Sequence, residues 1–139
     1  MACVFCEYAS GESPNSQSIV LKTDELVVFR DIRPASQHHL LACPAQHIPD
    51  AKHLTKSDIA LVESLVEAGL GAIEKLGGNR LETRVGLHWP PFCLVKHFHV
   101  HLIWPESELT WLSRLIFRPN SYWFCTVPSL IEYLNNLPD

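Results

Sequence analysis

Lys96-His97-Phe98-His99-Val100-His101-Leu102-Ile103 sets three histidines at alternate positions with apolar residues between them. Residues two apart diverge by about 200° on a helix but share one face of a strand. The intervening Phe98, Val100 and Leu102 favour the strand, so the spacing predicts a face of imidazoles and an opposite face on the core. A one-residue slip would bury all three histidines, and that fixes the register. The surrounding run from Phe92 to Trp104 reads as the longest β-like stretch of the chain, ended by Pro105.

Working outward, Ser18 to Lys22 and Leu26 to Arg30 read as two antiparallel strands around the turn Thr23-Asp24-Glu25, and His39 to Cys43 as another strand closed by Pro44. Between 57 and 76, Ile59, Val62, Leu65, Val66, Leu70 and Ile73 recur three or four apart, the period of an amphipathic helix. Thr55 with Asp58 resembles a capping box, and Gly77-Gly78 supplies the left-handed stop. Thr83 to His88 reads as a strand, and Pro128 suits the first turn of a short terminal helix reaching Asn136. The expectation is an α+β fold in a single domain over 1–139, with one main helix packed on the sheet.

The chain has 139 residues, 47% hydrophobic and 19% charged, which suits one globular core. Its net charge is −4 and no Lys or Arg run gathers into a stripe, so nucleic acid is not an expected partner. The N-terminal MACVFCEYASGESPNSQ lacks a secretory pattern and no stretch is apolar enough to span a bilayer, so neither membrane nor export is expected. A cytoplasmic, also nuclear, location follows. Five cysteines in such a chain point to free thiols or a metal site rather than disulfides.

Imidazole attacks phosphorus while neutral and donates to phosphate oxygens when it carries hydrogen, so three on one face can divide those tasks. His-x-His with a third histidine also suits zinc. The string from His97 to Ile103 resembles the histidine triad family signature at every position. The resemblance extends through Phe29 to Ile32, His39 to Pro44, Gln46 to Ile48, Pro90 to Cys93 and Asn120 to Phe124, and is greatest to the adenosine 5'-monophosphoramidase branch.

The resemblance implies a histidine triad fold with about five antiparallel strands, and hydrolysis of adenosine phosphoramidates to AMP. It casts His99 as the residue that becomes nucleotidylated, His101 as the one beside the α-phosphate, and His39 as the upstream member of a cluster that includes His97. It implies that Asp31 binds the ribose hydroxyls and that Val4, Phe5, Phe29, Ile32 and Leu41 enclose the base. No metal is implied for the chemistry, and a homodimer is.

Cys3-x-x-Cys6 has metal-ligand spacing, with histidines as the expected partners. Zinc-binding relatives pair such cysteines with the equivalents of His47 and His97. The chain departs from the usual pattern at Leu94, where many members carry a serine that bonds to the leaving group, and it lacks an asparagine near the phosphate that His88 could replace. A nucleotide-binding module without turnover and a metal-dependent hydrolase are the competing readings; a radiolabelled adduct separates the first and chelation the second.

Overall fold

In the computed structural model, Ile19–Lys22 (β1), Leu26–Arg30 (β2), His38–Pro44 (β3), Arg84–His88 (β4), Val100–Trp104 (β5) and Phe124–Thr126 (β6) form one antiparallel sheet. The strand order is β1-β2-β3-β5-β4-β6. Residues 3–11, 13 and 16–138 are described, so positions 12, 14 and 15 of the polar stretch after the first helix lie outside them. The sheet has six strands where about five were expected. The additional one is β6, three residues long and too short to display an alternation.

Alternation along the strands sorts the apolar residues onto two faces. Val28, Leu40, Ala42, Val100 and Leu102 meet helix α2 (Ile59–Lys75), which contributes Val62, Leu65, Ala72 and Ile73. Gly69 allows the close approach, because a Cβ there would fall 2.5 Å from Leu102 Cδ1. The helix starts as the sequence predicts: the Asp58 carboxylate accepts the Thr55 N–H at 2.8 Å, and the first turn is a 3-10 turn over Lys56–Asp58. It stops at Gly77, which takes φ +96° while Gly77 N–H bonds to Glu74 C=O and Gly78 N–H to Ile73 C=O. Helix α4 (Val127–Asn135) follows β6 with proline in its first turn.

The other face, where the histidines were expected to lie open, is covered. A short helix α1 (Val4–Ser10), which the sequence reading missed, packs Phe5 and Tyr8 on Val27, Phe29, Leu41 and Cys43. Beyond β5, a segment carrying helix α3 (Trp111–Ile116) returns over the same face and buries Leu109 and Phe117 against Ile103 and Phe124. As a result, His39, His97 and His101 are buried among apolar neighbours.

The β-like run from Phe92 to Trp104 is regular strand only from Val100. In the β3–β5 register Ala42 faces Val100, which sets Pro44 opposite Phe98, and proline has no N–H to continue the ladder. Phe98 N–H turns instead to Ile48 C=O at 2.6 Å. Upstream of it the chain bends, and Leu94 is 97% exposed instead of packed within a strand.

Candidate active site

His99, His101, His39 and His88 come together from three strands and the residues leading into β5. Ring centroids lie 5.1 Å apart for His99 and His101, 5.1 Å for His39 and His101, and 5.0 Å for His88 and His101. The alternation therefore survives where the ladder does not: Phe98 joins the α2 core while His97 and His99 lie on the opposite side with Phe5.

The hydrogen bonds give each imidazole a tautomer. Ala35 N–H donates to His39 Nδ1 at 3.0 Å, so the His39 proton belongs on Nε2. His39 Nε2 lies 2.8 Å from His101 Nδ1 and donates to it, which leaves the His101 proton on Nε2. That last nitrogen is buried and has no partner among the described residues. A buried N–H without an acceptor is costly, so this one is suited to receive a ligand oxygen.

His99 is held differently. Its Nδ1–H donates to the His97 carbonyl at 2.8 Å, leaving the lone pair on Nε2. Burial is the main cause that lowers His99 to about 4, with the His97 carbonyl and Asp31 pulling the other way and nearby His88 and His97 adding to the fall. Burial likewise lowers His39 to about 4 against the opposing charge of Asp31, and it pushes His101 well down. At neutral pH the cluster is uncharged, and His99 offers a nucleophilic nitrogen.

Around this cluster, Phe5 meets His99 at 4.9 Å and Phe29 at 5.1 Å, both edge to face. Phe29 and Leu41 are buried beside Phe5. Val4 at 54% and Ile32 at 77% exposure stand at the rim instead of within the core. Asp31 follows β2; one carboxylate oxygen accepts Arg33 N–H at 2.9 Å and the other lies 3.4 Å from His39 Nε2. Beside His99 a narrow cleft with room for a single water, about 10 Å³, is lined by Pro49, Asp50, His88, Cys93 and Val95. Sequence reasoning named His88 only as a substitute for a missing asparagine, and it did not find Phe117, which sits 5.2 Å from His101.

A second cluster lies beside the first. Cys3 Sγ is 3.4 Å and Cys6 Sγ 3.5 Å from His97 Nδ1, and Cys6 Sγ is 3.3 Å from His47 Nδ1. All four ligand atoms fall within 4.8 Å of one another. Tetrahedral zinc with ordinary Zn–S and Zn–N bonds spaces sulfur and nitrogen by roughly 3.5 Å. His97 Nε2–H donates to Pro44 C=O at 2.7 Å, which leaves Nδ1 with its lone pair toward the sulfurs. The donor set thus fits zinc. Asp31, His39 and His101 also approach one another, but the Ala35 N–H commits His39 Nε2 to carrying hydrogen, so that trio reads as a relay and not a metal site.

A family description, scavenger mRNA decapping enzyme C-term binding, matches residues 2–116. The chain is 42% identical over 135 residues to the adenosine 5'-monophosphoramidase HINT3 of Xenopus tropicalis, covering 96% of this chain and 88% of that protein. Against the protein of the same name from Mus musculus the identity is also 42%, over 95% of this chain and 81% of the relative. Among solved structures, a HIT family hydrolase from Legionella pneumophila superposes with a TM-score of 0.67 at 28% identity, over 73% of this chain and 91% of that one.

Proposed function

The chain belongs to the histidine triad family, and on that premise we propose that it hydrolyses adenosine 5'-monophosphoramidates to AMP by way of a nucleotidyl-histidine on His99. One observation carries the reading: a neutral His99 with its lone pair on Nε2 stands beside a buried His101 N–H that has no acceptor among the described residues. The first supplies a nucleophile and the second a donor for a non-bridging phosphate oxygen.

In the first step His99 Nε2 forms a bond to the α-phosphorus as the phosphorus–nitrogen bond of the substrate breaks, and the departing amine takes up a proton. Water then attacks the same phosphorus, the bond to His99 breaks, and AMP leaves with His99 neutral again. His39 holds the tautomer of His101 through both steps, and the His97 carbonyl holds that of His99. Asp31 binds the ribose hydroxyls, and Phe5, Phe29 and Leu41 take the base, with Val4 and Ile32 at its edge. Leu94 offers no donor, so the proton for the leaving group comes from the imidazoles or from water.

The Cys3, Cys6, His47 and His97 set holds a structural zinc in this reading, and the metal takes no part in the chemistry. The protein works as a homodimer in the cytoplasm and the nucleus; α3, with Trp111, Leu112, Leu115 and Ile116 exposed, offers apolar surface for such pairing. No described helix is long and apolar enough to cross a membrane. Incubation with adenosine 5'-monophosphoramidate tests the proposal: AMP and ammonia should appear in equal amounts. Tight AMP binding with no release of ammonia would instead identify a binding module.

A further inference from the structure

We infer that Phe117 is a positioning residue for the phosphate-side histidines, and that the ion pair of Arg84 with Glu106 keeps it there. The inference rests on the proposed function for its catalytic reading, though not for its geometry. Phe117 is buried, and its ring lies 5.4 Å from His39, 5.2 Å from His101 and 5.4 Å from His88, perpendicular to His39 and tilted toward the other two. One apolar ring therefore closes three imidazoles at once on the side formed by the segment after β5.

Buried Leu109 and Phe117 anchor that segment on Ile103 and Phe124. Helix α3 turns Trp111, 78% exposed, and its other large apolar residues outward, so it is not anchored by burying its own face. Polar pins add to the two apolar anchors. Arg84, from β4, donates Nε–H to Glu106 Oε2 at 3.1 Å and Nη1–H to the Phe117 carbonyl at 3.3 Å. Ser36 Oγ–H donates to Pro105 C=O at 2.9 Å, and Trp123 Nε1–H to Leu115 C=O at 2.8 Å. Arg84 thus grips both ends of the segment, and the Phe117 backbone is one of its two acceptors.

The relay requires a dry environment. Protonating His39 would place hydrogen on Nδ1, against the Ala35 N–H, and would cost the ring the bond that orients it toward His101. The groups facing the relay are Asp31 after β2, His88 on β4 and His99 before β5, while the Arg84 guanidinium is engaged by Glu106 and the Phe117 carbonyl; of these only Asp31 favours a charged imidazole. Exclusion of water by Phe117 opposes that charge.

The test compares Phe117→Ala, Phe117→Leu and Glu106→Ala in the full chain, with zinc supplied. We expect Phe117→Ala to lower kcat at neutral pH by about ten-fold or more while KM changes less than about three-fold, and its acid limb to move up by about one pH unit. Phe117→Leu should restore most of the loss, and Glu106→Ala should move the limb in the same direction by less. Histidine side-chain NMR on the protein without nucleotide should show His39 titrating at higher pH in the alanine variant. If Phe117→Ala does not fold, Phe117→Leu and Glu106→Ala carry the comparison. A wild-type limb and wild-type His39 titration in the folded variants would overturn the inference, even with reduced kcat. If the wild-type protein turns over no phosphoramidate, the proposed function fails while the His39 titration still decides the role of Phe117.

Discussion

His39 Nε2 lies 2.8 Å from His101 Nδ1, and the Ala35 N–H on the opposite nitrogen of His39 gives that bond its direction. Both rings are buried, and burial disfavours a charge on either.

Stability should therefore fall on mild acidification. The folded chain keeps His39 near 4 through burial, whereas the unfolded chain protonates it at the ordinary value of 6.5. Between those two values the unfolded state binds the extra proton, so stability is full above 6.5 and is lost as pH drops toward 4. Each unit of difference is worth about 1.4 kcal/mol. Chemical denaturation at pH 7.5 and 5 should show the decline, and His39→Gln should remove the His39 share of it while the shares of His99 and His101 remain. An equal decline in that variant would assign the effect to other groups.

Asp31→Asn should weaken ribonucleotides more than 2',3'-dideoxy analogues. Charge-assisted hydrogen bonds contribute roughly 1.5–3 kcal/mol, so calorimetry should read a ten-fold or larger difference between the two ligands. Equal losses would give Asp31 a purely structural role through Arg33 N–H and His39.

Much of this was legible in the sequence because the signals were local. The alternation of His97, His99 and His101 fixed their common face, and Thr55, Asp58 and Gly77 marked the ends of α2 to within a turn. The resemblance named Cys3, Cys6, His47 and His97 together, and the fold brings those four side chains together. What stayed hidden was tertiary. Helix α1 has only seven residues, too short for a period to stand out, and the reach of α3 back over the histidines depends on Arg84 meeting Glu106 and Phe117 across the fold. The early end of β5 comes from Pro44 on another strand, which no window around Phe98 contains.

Leu94→Ser corrects an expectation drawn from the strand reading, in which removing a packed leucine would cost about 2–4 kcal/mol. With Leu94 97% exposed, a thermal melt should show a change within about 0.5 kcal/mol. Neither should the rate on alkyl phosphoramidates rise, because the side chain points to solvent. A gain in rate would mean that the loop closes on bound substrate.

Cys6→Ser should abolish stoichiometric zinc, since Cys6 lies near both His47 and His97. Metal analysis of protein grown with zinc reads this directly. Loss of the metal should also lower Tm, because a structural site adds its binding energy to folding. Undiminished zinc in the variant would place the ion elsewhere.

The nucleophile is the centre of the mechanism, and rapid quenching in alkaline denaturant, in which a phosphorus–imidazole bond survives, followed by peptide mass spectrometry at neutral to basic pH addresses it most directly. Wild-type protein mixed with an adenosine phosphoramidate should carry a nucleotidyl group on the peptide containing His99. His99→Ala should carry none and lose several powers of ten in rate, while still binding AMP through the Asp31 side of the pocket. An adduct on another residue, or more than about a tenth of wild-type turnover in His99→Ala, would remove His99 from that role.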